Sequence, residues 1–200
     1  MSREELITSY LSKDRLEPYL TSAEYDFAEA LLLYQKNKKL SSQFHSLLAE
    51  LEVLLRNSIN NLLAEEIGEN WLEQNLINLD ETQYNIIKSV IKTLRKENKQ
   101  ITNSNLISNL NFGFWVYLFN TKYDKTLWRK YLHKIFTNKP KNFKRSKVRL
   151  ELEKFKNLRN RIAHCEYILK YPCEQYMQDI IEFINYINPE ITNWIEEITK

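Results

Sequence analysis

Two glycines and four prolines are all the strong backbone breakers in this chain of 200 residues. A sheet protein needs turn-forming residues at short intervals, so such scarcity predicts helices joined by short connections. Hydrophobic residues at 43% and aromatics at 12% are enough to build a core for one domain of this length. The expected fold class is all-α, with no coiled-coil register, internal repeat or linker.

Start and stop signals divide the chain. Ser2-Arg3-Glu4-Glu5 has the form of a capping box. A second short segment runs to Leu20 and carries Leu16 and Tyr19. Thr21-Ser22-Ala23-Glu24 reads as the next start, with Tyr25, Ala28, Leu31, Leu32 and Tyr34 facing or near a core. Ser41 or Ser42 reads as the cap of a helix reaching Glu66, whose stripe includes Phe44, Leu48, Leu51, Leu55, Ile59 and Leu63. Gly68 then stands where a C′ residue is expected. Further starts fall at Asp80, at Thr102 or Asn103, and at Asn188 with Pro189 in the first helical position. The final helix carries Ile191, Trp194, Ile195 and Ile198. Phe112, Phe114, Trp115, Tyr117, Leu118 and Phe119 are read as core, with a base-stacking surface as the other option.

Chemistry concentrates near the C-terminal third. Val148, Leu152, Phe155, Leu158 and Ile162 recur at steps of three and four and predict one buried helix face. Arg159, Asn160 and His164 fall off that face near its end, and Asn160 and His164 share a side because they are four apart. An arginine to hold phosphate, an amide to orient and a histidine to move a proton are parts for phosphodiester chemistry. The plainer alternative is an arginine and a histidine meeting the negative end of a helix dipole. Upstream, Lys134, Lys139, Lys141, Lys144, Arg145, Lys147 and Arg149 form a basic run with no acidic residue between Lys134 and Arg149. With Phe136 and Phe143 interleaved, it reads either as a solvated loop or as a phosphate-tracking approach, and its spread suits RNA better than a small metabolite. Glu52 and Arg56 are spaced as an ordinary helix ion pair.

Arg159-Asn-x-x-x-His164 resembles the R-x4-6-H signature of HEPN domains, helical proteins many of which are RNases. In order along the chain, SKDRLEPYL, ALLLYQKNKKLSS, LEVLLRNSINNLL, LNFGFWVYLF, LRNRIAHCE and NPEITNWI resemble blocks of the Abi-like (AbiD/AbiF-type abortive infection) family. This resemblance implies a HEPN-like helical bundle with additional N-terminal helices. It implies one Abi-like domain over residues 1–200, with 1–40 an N-terminal helical portion and 41–200 the core bundle. The implied activity is a metal-independent endoribonuclease toxin of bacterial phage defence, with Arg159, Asn160 and His164 catalytic. Glu52, Arg56 and Asn57 would support the site, and Lys139, Lys141, Lys144, Arg145, Lys147 and Arg149 would hold RNA. The partners implied are a second copy of the chain, the substrate RNA and a small noncoding RNA that controls it. A non-catalytic ribonucleoprotein component is the alternative. Where relatives carry a second histidine, this chain has Cys165. Tyr167 is a candidate acceptor for covalent modification, and equally a packing residue.

Two glycines exclude a P-loop or dinucleotide fingerprint, and no His or Cys spacing suggests a metal site, so neither metal nor cofactor is expected. The net charge of +3 permits a nucleic-acid partner without requiring one. Cys165 and Cys173 read as reduced thiols, and no apolar run is long enough to span a bilayer or to form a signal core. A cytoplasmic protein without a membrane partner is expected.

Overall fold

The computed structural model describes the backbone of residues 1–199 and the side chains of 1–197. Among the described residues every regular element is helical and none is a strand, so the fold is all-α. The α-helices are α1 (Arg3–Leu11), α2 (Lys13–Ser22), α3 (Phe27–Ile67), α4 (Glu81–Lys96), α5 (Asn103–Ser108), α6 (Phe112–Tyr117), α7 (Arg145–Ala163), α8 (Cys173–Ile187) and α9 (Pro189–Thr199). Short 3₁₀ and π turns lie at Thr121–Tyr123, Asp124–Trp128 and Leu132–Ile135, between α6 and α7.

The expected caps account for several helix starts. Ser2 accepts from the Glu5 N–H at 3.1 Å while Glu5 accepts from the Ser2 N–H at 2.7 Å, a reciprocal capping box on α1. Asp80 caps α4, Thr102 caps α5, and Asn188 accepts from Glu190 and Ile191 ahead of Pro189. Asn111 caps α6 by accepting from Phe114 at 3.0 Å. A Cβ on Gly113 would stand 3.1 Å from the Asn111 side-chain oxygen, so glycine leaves that cap its room. Gly68 follows α3 at φ +123°, a backbone conformation that side-chain-bearing residues rarely adopt.

Two starts differ from the sequence expectation. The helix expected at Thr21 begins at Phe27, capped by Asp26, because α2 continues through Thr21 and Ser22. The inward face is therefore Ala30, Leu33, Tyr34 and Asn37, while Tyr25, Ala28 and Leu32 are exposed. Nor do Ser41 and Ser42 cap anything: α3 runs unbroken for 41 residues. Serine costs a helix interior only a few tenths of a kcal/mol, and burial of Ala30, Phe44 and Leu48 on either side overrides it. The side chain of Ile198 lies outside the described residues.

The chain forms two compact units, one of residues Met1–Ala49 with Asn157–Asp179, the other of Glu50–Lys156 with Ile180–Lys200. In the first, Tyr19, Ala23 and Ala30 form a buried cluster against which Leu20, Leu33, Tyr34 and Tyr167 pack. The Tyr19 ring meets Tyr34 and Tyr167 edge-on, with centroids 5.3 and 5.0 Å away. In the second, the aromatic block is core as expected, with Phe112, Phe114, Trp115 and Phe119 buried. Phe119, Phe136, Phe183 and Phe155 continue it as a chain of edge-on rings. The five apolar residues expected inside on α7 are all buried.

Candidate functional site

The end of α7 is a Schellman turn. Cys165 takes the left-handed position at φ 55°, its N–H bonds the Ile162 carbonyl at 2.9 Å, and the Glu166 N–H bonds the Arg161 carbonyl at 2.9 Å. The side chains of those last two residues add an ion pair of 2.6 Å where such turns ordinarily have an apolar contact. His164 is thereby the C-cap residue, its N–H closing the last helical bond on the Asn160 carbonyl at 3.0 Å. This explains why Asn160 and His164 share a side.

What holds the turn in place is a residue that sequence reasoning passed over. Asn37, buried within α3, donates to the Glu166 carbonyl at 3.2 Å and accepts from the Ile168 N–H at 2.8 Å. Tyr167, between them, bonds Ser22 through its hydroxyl at 2.9 Å and packs on Tyr19. No local signal marks Asn37, since its partners stand about 130 positions away and its neighbours are a polar run, QKNKK.

On this fixed turn Asn160 and His164 are exposed and Arg159 is half-buried. Among the described residues, none of the three side chains is engaged in a hydrogen bond or ion pair, so all are available to a ligand. A guanidinium, an amide and an imidazole within one and a half turns can bind an oxyanion and exchange a proton with it. Cys165 is exposed beside them, whereas burial pushes the Cys173 thiol above its ordinary pKa and its sulfur sits 3.5 Å from the Ile168 carbonyl.

The remaining sequence candidates belong to the second unit. Glu52, Arg56 and Asn57 are half-buried on α3, and the Arg56 Nε is shut off from water without a protein partner. The basic run divides in two. Arg145 is bound on three sides, to Asp124 at 3.1 Å, to the Phe119 carbonyl at 2.6 Å and to the Thr121 hydroxyl at 3.2 Å. Arg149 donates to the Val116 carbonyl at 2.8 Å and pairs with Glu153. Arg145 satisfies the Phe119 carbonyl beyond the end of α6, and Arg149 adds a further bond to the Val116 carbonyl, which already accepts from the Phe119 N–H. Lys139, Lys141, Lys144 and Lys147 are exposed. Lys139 reaches the His133 carbonyl and Lys147 lies over the Tyr186 ring. Phe136 is buried, and Phe143 packs on it and on Tyr186, so these rings serve the core.

Among the described residues no three His, Cys, Asp or Glu side chains stand together as a metal site, and no helix is long and apolar enough to cross a membrane. Comparison with protein-family models, curated proteins and solved structures finds no match to this chain.

Proposed function

We propose that this chain is a HEPN-type, metal-independent endoribonuclease of the Abi-like kind, a toxin of bacterial phage defence. The observation that carries the proposal is the display of Arg159, Asn160 and His164 on one helix end, their side chains without a hydrogen bond or ion pair among the described residues, beside a turn that Asn37 bonds. The ordered blocks quoted above support it.

In this mechanism His164 takes the proton of a ribose 2′-hydroxyl as the 2′-oxygen attacks the adjacent phosphorus. The bond from phosphorus to the 5′-oxygen breaks, and that oxygen takes the proton back from the His164 imidazolium, directly or through water, as it leaves. The products are a 2′,3′-cyclic phosphate and a 5′-hydroxyl. Arg159 neutralises charge growing on the phosphoryl oxygens, and Asn160 orients the phosphate or the imidazole. DNA, lacking the 2′-hydroxyl, is not cut. The working form is a homodimer with two such motifs facing, restrained by a small noncoding RNA.

The test is sequencing of RNA co-purified with wild type and with His164→Ala, with chemical mapping of the ends. Cyclic-phosphate ends enriched with wild type alone support the proposal; identical ends with both proteins sink it. One observation favours a second reading, a non-catalytic RNA-binding protein within a ribonucleoprotein. His164 is exposed and, among the described residues, has no side-chain partner to orient its ring, as a proton-transfer histidine ordinarily has. One intact RNA held equally by both proteins would establish that reading instead.

A further inference from the structure

Beside His164 the first unit holds an open cavity of about 560 Å³. The start of α2 forms one wall and the segment following α7 the other. Two cations flank it. Among the described residues the Arg15 guanidinium has no hydrogen bond or ion pair, and the Lys170 ammonium only lies over the Tyr171 ring, 5.4 Å from its centre. Of the two acids that line it, Glu166 is paired with Arg161, and Asp14, in the first turn of α2, stands as one negative charge against the two cations.

The apolar wall is Pro18, Tyr19 and Tyr167. Tyr19 is 1% exposed, and its hydroxyl, which bonds no protein atom among the described residues, is itself closed to solvent, so Tyr19 borders the cavity through its ring. The cavity is in the size range of small-molecule sites and far larger than one phosphate needs. Two unengaged cations beside aromatic rings suit a phosphate with a base attached. Because the cavity is open and includes His164, a strand can enter it and continue past the histidine.

We infer that this cavity seats the RNA nucleotide next to the scissile phosphodiester, with its phosphate between Arg15 and Lys170 and its base against Pro18 and Tyr167. The inference rests on the ribonuclease reading. It adds to it a binding subsite built by α2, outside the Arg159–His164 motif.

The probe is a fluorescein-labelled RNA decamer of mixed sequence with 2′-O-methyl on every ribose, which 2′-oxygen attack cannot cleave. Its affinity is read by anisotropy for wild type, Arg15→Ala, Lys170→Ala, Tyr19→Phe and His164→Ala. Thermal unfolding of each protein and cleavage of unmodified RNA by wild type are measured alongside. Arg15→Ala and Lys170→Ala weaken binding about tenfold each. Tyr19→Phe binds like wild type, because its hydroxyl is closed to the cavity. His164→Ala still binds. If wild type cleaves RNA and the Arg15 and Lys170 variants bind the decamer like wild type, the subsite is overturned and the ribonuclease reading stands. If wild type neither cleaves RNA nor binds the decamer, the ribonuclease reading itself fails.

Discussion

Asn37 shows how much of a site a single amide can determine. One side-chain group accepts from Ile168 and the other donates to Glu166, so the strand after His164 is held by both halves of one residue. Removing it leaves a backbone donor and a backbone acceptor without partners, each costing about 1–3 kcal/mol where water cannot replace the bond. Asn37→Ala is therefore expected to lower stability by about 2 kcal/mol or more, read as a lower urea midpoint with unchanged slope. Asn37→Asp keeps the acceptor for Ile168 but sets a carboxylate against the Glu166 carbonyl, so it destabilises as well. Should both variants unfold like wild type, Asn37 does not position the turn. That Arg159, Asn160 and His164 share one helix end was legible because their spacing is local. Asn37 was not, because an asparagine in a polar run looks the same whether it faces water or a distant backbone.

At the scale of the element, the basic segment that leads into α7 and through its first turns separates into cations that hold the fold and cations that are displayed. Arg145→Ala breaks three hydrogen bonds, one to the Asp124 carboxylate, and is expected to cost about 2 kcal/mol of stability in thermal or urea unfolding. Lys141→Gln, Lys144→Gln and Lys147→Gln combined should leave stability within about 0.5 kcal/mol and weaken RNA binding with a shallower salt dependence. Equal stability loss in the two proteins would refute the division. Composition alone placed all of these residues in one patch, since a charge pattern does not say which side chains find carbonyls. The helix faces were legible for the opposite reason: Val148 to Ile162 repeat at the helical period, and burial acts on that period directly. The cap of α4 gives a pH prediction. Burial pushes the Asp80 carboxyl up, but bonds from Lys122, Tyr123 and the Gln83 N–H outweigh it and hold the carboxyl well below the usual range. The hydrogen bond to Asp80 and then the Tyr117 hydroxyl raise Lys122 in turn. A depressed carboxylate stabilises the fold above its unfolded pKa, about 3.9, and that contribution is lost as the pH falls below it. A raised lysine stabilises below about 10.4 and loses its contribution at higher pH. Melting temperatures of Asp80→Asn should fall less steeply than those of wild type between about pH 4 and pH 2; parallel curves would show that Asp80 does not carry the acid limb.

For the molecule as a whole, periodicity predicted helices but could not say that residues 157–179 group with 1–49 rather than with the helix residues just before them. The division falls within α3, α7 and α8, none of which carries a break in its hydrophobic pattern. The same blindness applies to assembly, because a helix pattern looks alike whether it packs on its own chain or on a second copy. The proposed composite site makes assembly testable. The net charge of +3 is too small to oppose self-association strongly, and light scattering should give twice the chain mass of 24.2 kDa. Arg159→Ala and His164→Ala should each be inactive as homodimers. A mixed dimer of the two keeps one complete His164 and one complete Arg159, contributed by different copies. Co-expression of the variants under separate affinity tags, followed by tandem purification of the mixed dimer, should recover part of the wild-type cleavage. A single-copy mass would remove the dimer. A mixed dimer as inactive as its parents would instead require both motifs to be complete, and the facing-motif arrangement would then have to supply two arginines and two histidines to one phosphate.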